Sequence, residues 1–78
     1  MTDISLVDVT IHIDKAVDFR TRQDVEVALR AINGVISVHM PSKHSHLVVV
    51  EYDPDETTSF NLLTTVEEIV GHAELIGL

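Results

Sequence analysis

The chain has 78 residues, 45% of them hydrophobic, and a formal charge of −8 from 13 acids against 5 bases. That length suits one domain, residues 1–78, with a single small core and modest stability. The acidic balance repels phosphate backbones and anionic lipid, so no nucleic acid partner is expected. There is no cysteine, which excludes a disulfide framework and a thiolate metal site and leaves imidazole, carboxylate, thioether or water as metal ligands. The N-terminus lacks a basic start with a long apolar run, and no stretch approaches the ~20 apolar residues of a membrane span. The expectation is a soluble, cytoplasmic protein without membrane contact.

In chain order, Val7 to Asp14 alternates apolar and polar residues, the period of a half-buried strand, with Val9, Ile11 and Ile13 toward the core and Asp8, Thr10 and His12 away from it. After a polar connection from Lys15 to Arg22, Val25, Ala28, Leu29 and Ile32 recur at helical spacing and end at Asn33-Gly34, a C-terminal cap signal. Thr21, with Asp24 three residues on, suits the start of that helix. Val35 to Met40 and Leu47 to Tyr52 are β-branched runs joined through Pro41-Ser42-Lys43 and predict a hairpin. In the second run Val48, Val50 and Tyr52 share one face, Leu47 and Val49 the other. Asp53-Pro54-Asp55 breaks the strand; Leu62, Leu63, Val66, Ile69 and Val70 then mark a second amphipathic helix, capped by Thr58 or Ser59 and ended by Gly71. Ala73 to Ile76 is a short last strand.

The order strand, helix, strand, strand, helix, strand predicts an α+β, ferredoxin-like βαββαβ sandwich, two helices on one face of a four-stranded antiparallel sheet. Right-handed crossovers put the first strand centrally beside the third, with the fourth and second at the edges.

Through Val25-Glu26-Val27-Ala28-Leu29, Ile32-Asn33-Gly34-Val35, Val38, Val50-Glu51-Tyr52-Asp53-Pro54, Leu63 and Gly71, the chain resembles the heavy-metal-associated domain family, the small copper chaperones and the metal-binding modules of metal-pumping ATPases. The family's Gly-Met-Thr-Cys-x-x-Cys loop falls on Lys15-Ala16-Val17-Asp18-Phe19-Arg20-Thr21. Asp18 and Thr21 stand at the two thiolate positions, so two-sulfur copper(I) coordination cannot form. The hairpin is one residue longer than is common in the family, and Glu67 stands where relatives often place an apolar residue.

Five histidines remain, three of them within eight residues, His39 to His46. In this topology His12, His39, His44, His46 and His72 fall at one pole, the one where the resemblance places metal. Neutral imidazole suits zinc, nickel, copper(II) or cobalt(II), and two or three imidazoles completed by water or a carboxylate such as Asp14 would make an open site. His39, His44 and His46 are the preferred ligands, with His12 beside them; two strand spacings put His12 roughly 9 to 10 Å from His39. Met40 offers a thioether, but its strand phase turns it to the core. Each of these histidines also suits a plain surface position, as does His72, which follows Gly71 where many relatives carry tyrosine.

The sequence therefore supports a non-catalytic metal-binding domain in transport, buffering or sensing, with histidines in place of the two cysteines. The alternative is a metal-free interaction or dimerisation module, in which Leu47 and Val49, with Ile36 and Ile76, form an apolar strip on the sheet face the helices leave open. Isolated exposed aliphatics are also ordinary. No enzyme is expected: no Ser-His-Asp or Cys-His pairing can be assigned, the Phe19-Arg20 loop lacks a glycine-rich phosphate cradle, and the acids are too sparse for a calcium loop.

Overall fold

In a computed structural model, which describes residues 5–13, 17–41 and 46–76, the expected alternations and periodicities become six elements. They are β1 (Val7–Ile13), α1 (Phe19–Arg30), β2 (Val35–His39), β3 (Leu47–Tyr52), α2 (Ser59–Val70) and β4 (Ala73–Ile76). Every strand pairing is antiparallel and the order across the sheet is β2-β3-β1-β4, the ferredoxin-like arrangement the sequence predicts. Val9, Ile11 and Ile13 of β1 and Val48, Val50 and Tyr52 of β3 point to one side and are buried against Val25 and Leu29 of α1 and Leu62 and Val66 of α2. Among the described residues no helix covers the other sheet face. Met40 packs against the core, as its phase predicts.

Two local features depart from the sequence reading. First, α1 begins at Phe19, not at Thr21: Asp18 is extended (φ −72°, ψ 168°) and its Oδ1 accepts a hydrogen bond from the Thr21 amide at 2.7 Å. An aspartate in that conformation satisfies an orphan amide of the first turn, so the helix starts as soon as one is available. The expected last residue of β1, Asp14, lies outside the described residues. Second, β2 is irregular, since Val35 pairs with Tyr52 and Ser37 with Glu51. Ile36 is the extra residue of this bulge and is 56% exposed, which interrupts the alternation expected there.

Of the two expected stops only that of α2 forms where the glycine stands: α1 ends at Arg30 with Ala31 (φ −79°, ψ −13°) as its cap, before Ile32 and Gly34. Gly71 ends α2 with φ +91° and donates its amide to Glu67 O at 2.8 Å. Gly34 has φ +102°, its carbonyl accepts from the Asp53 amide at 2.8 Å, and a Cβ there would collide with the Cβ of Glu56. This junction ties the α1–β2 turn to the β3–α2 turn at the pole opposite the histidines.

Candidate functional site

The histidine pole is built by the two central strands. On the open face His12 lies directly opposite Leu47 of β3 on one side and Glu74 of β4 on the other. One residue on, the Ile13 amide donates to His46 O at 2.8 Å, which draws the start of β3 across the end of β1. The rings of His12 and His46 meet edge to face, with centres 5.2 Å apart and planes at 72°. Both histidines are half-buried.

His39 and His72 stand at the same pole without joining that pair. His39 is exposed at the end of β2 and lies opposite Val49, whereas His12 lies opposite Leu47. The two are therefore offset by two residues as well as two strands, about 12 Å between Cα atoms, farther than the strand spacing alone suggests. Since an imidazole bound through its far nitrogen puts its Cα ~6 Å from the ion, His39 and His12 could share one only from opposite sides of it. His72 precedes β4, and its Nε2 is 3.8 Å from Glu74 Oε2, both side chains being mostly exposed. His44 lies outside the described residues. Among the described residues no three His, Asp or Glu side chains already converge on a point that would hold an ion.

Asp18 and Thr21, which the sequence resemblance sets against thiolates, are committed to each other. Asp18 caps α1 through the Thr21 amide. Its carboxyl is held below the ordinary aspartate value of 3.8, first by the backbone hydrogen bond from Thr21, then by the Thr21 side chain, with Arg20 adding a smaller effect. A cysteine pair would present two soft sulfurs here; the present residues present one hydrogen-bonded carboxylate oxygen and a hydroxyl, a donor set unsuited to copper(I).

Leu47 and Val49 do lie on the open face and are half-buried. Val49 shares a row with Thr10 and, beyond it, Ile76, which is 43% exposed. Ile36 belongs to the bulge at the sheet edge, outside the regular rows.

Two features of the pole escaped the sequence reading. The choice of His12 as the direct neighbour of His46 depends on strand register, which a run of alternating residues does not fix without its turn. Glu74 carried a usable signal: the alternation Ala73-Glu74-Leu75-Ile76 places it on the open face, in the strand beside His12.

No protein-family model matches the sequence, and no curated protein matches it either. Solved structures do share its fold. The chain is similar to oxidized MerP from Ralstonia metallidurans CH34, with a TM-score of 0.82 and 16% identity, over 94% of this chain and 100% of that one. It is similar to a copper binding domain from HMA7, a P-type ATPase, with a TM-score of 0.77 and 20% identity over 90% and 93% of the two chains. A third is the N-terminal domain of a potential copper-translocating P-type ATPase from Bacillus subtilis in its Cu(I)-loaded state, with a TM-score of 0.75, 21% identity, and 91% and 85% covered.

Proposed function

We propose that this chain is a small, non-catalytic metal-binding domain that holds a divalent ion, zinc, nickel or copper(II), through histidines at one pole, and serves transport, buffering or sensing in the cytoplasm. His12 and His46 are the nucleus of the site, and His44 is the histidine proposed for a position they leave open; His39, the remaining expected ligand, could reach the ion only from the side opposite His12. The observation that carries this reading is the 5.2 Å separation of the His12 and His46 ring centres. Two imidazoles on one tetrahedral ion, with metal–nitrogen bonds of about 2.0–2.1 Å, hold their ring centres ~5.2 Å apart. Ring pairs adopt such spacings without an ion as well, so the deciding measurement must detect the ion itself. The similar solved domains are described as binding copper, which supports metal chemistry on this scaffold. With no cysteine in the chain, the ion and ligands proposed here are of another kind.

Calorimetric titration of the metal-free chain with zinc, nickel and copper(II) tests the proposal. One saturable site is expected, lost in the His12→Ala/His46→Ala double variant. Imidazole coordinates only when neutral and changes charge near ~pH 6.5, so affinity at pH 5.5 should fall well below that at pH 7.5. Equal affinity at the two pH values would rule out imidazole ligation.

A second reading draws on the open sheet face. The row of Val49, Thr10 and Ile76, with Leu47 beside it, gives solvent an apolar strip where open faces are usually polar, a surface on which a protein partner or a second copy would dock. A chain that bound no metal yet sedimented as a dimer, and became monomeric with Val49→Lys, would establish that reading in place of the first.

A further inference from the structure

We infer that Glu74 is the carboxylate ligand of this centre, completing a two-imidazole, one-carboxylate site with His12 and His46; the assignment rests on the metal-binding reading above. Ala73 is buried opposite Ile13 and Leu75 packs against the core, so Glu74 is turned to the open face. There it lies directly opposite His12, and side chains so placed have Cβ atoms ~4.5–5.5 Å apart. On the other side His12 touches the ring of His46. His12 thus adjoins Glu74 through the pairing of β1 with β4 and His46 through its ring, while the β3 residue directly opposite it is Leu47.

The carboxylate rests 3.8 Å from His72 Nε2, with 58% of the His72 side chain and 64% of the Glu74 side chain exposed. A pair so exposed and so long holds weakly, and an exposed glutamate changes rotamer on the picosecond to nanosecond scale. Turning Glu74 from His72 toward His12 brings the third donor to the imidazole pair, the convergence that the described side chains lack in their present rotamers. Two imidazoles and one carboxylate make a zinc site with its fourth position open to water or a transfer partner. The hard oxygen favours a divalent ion over copper(I), and its charge offsets half that of the ion.

The test is zinc titration of the full chain, of Glu74→Gln and of Asp14→Asn. It is run in 0.5 M sodium nitrate, where screening beyond about 4 Å suppresses the effect of a merely nearby charge. Cobalt(II) absorption spectra of the same three proteins report the ligand set directly. A ligand role requires that Glu74→Gln bind zinc at least about ten-fold more weakly, with a changed cobalt spectrum, while Asp14→Asn matches the parent. Parent-like affinity and spectrum in Glu74→Gln, or loss in Asp14→Asn instead, overturns the assignment of Glu74 and leaves the metal reading standing. Absence of saturable binding to the parent chain overturns both.

Discussion

At Asp18 one carboxylate oxygen closes the first turn of α1 and is taken up by the Thr21 amide at 2.7 Å. The folded chain therefore holds this carboxyl below the ordinary value of 3.8, and the sign of its linkage to folding follows. Its contribution is complete above pH 3.8 and is lost as the pH falls through the lower, folded-state value. Asp18→Asn keeps an oxygen acceptor at the cap and removes the titration. Between pH 5 and pH 2.5 the midpoint of thermal unfolding should fall less steeply in this variant than in the parent, read by circular dichroism. Gly34 sets a second condition on a single residue. Its positive φ and the Glu56 Cβ against it exclude a side chain, so Gly34→Ala should cost about 1–3 kcal/mol in urea unfolding. Gly71, with φ +91° but open space around it, should tolerate alanine better, because only the backbone term applies.

The elements differ in how much of each was written in local sequence. α2 was legible at both ends: Thr58 Oγ1 accepts from the Asn61 amide at 3.0 Å, and Gly71 supplies the stop. Removing the cap with Thr58→Ala should cost about 1 kcal/mol by the same urea measurement. β1 was legible because its burial alternates as its hydrophobicity does, one face on the helices and one open, and β3 because a β-branched run between turn signals marks a strand even where both faces are apolar. α1 was misread at its start because two cap signals stand three residues apart; Thr21 carries a cap-like pattern, yet Asp18 already takes the Thr21 amide and starts the helix one turn earlier. The bulge in β2 left no mark in the run Val35-Ile36-Ser37-Val38-His39, since the pairing that creates it belongs to Glu51 and Tyr52 on the neighbouring strand. The pole was legible in outline for the same reason that its contacts were not. Chain order decides at which end of the sheet a histidine lies, whereas the meeting of His12 with His46 follows from the hydrogen bond between Ile13 and His46.

Across the whole molecule the core is a single layer between sheet and helices, and its centre is Ile11, fully buried and paired with Val48 and Leu75. Ile11→Ala should cost about 2–5 kcal/mol, a large share of what a domain this small commands. Ligand linkage should act in the opposite direction. If the histidine pole holds an ion, zinc at a hundred times its Kd stabilises the fold by about 2.7 kcal/mol, seen as a raised unfolding midpoint that His46→Ala abolishes. The bulge at Ile36 has a further consequence for how copies of this domain coexist at high concentration. An outermost strand with evenly spaced amides is a template on which another chain can add and a fibril can grow. The extra residue throws the first half of β2 out of step with any incoming strand, while the opposite border, β4, is only four residues long. Deleting Ile36 would restore the even spacing, and the shortened chain should then form thioflavin-positive aggregates sooner than its parent.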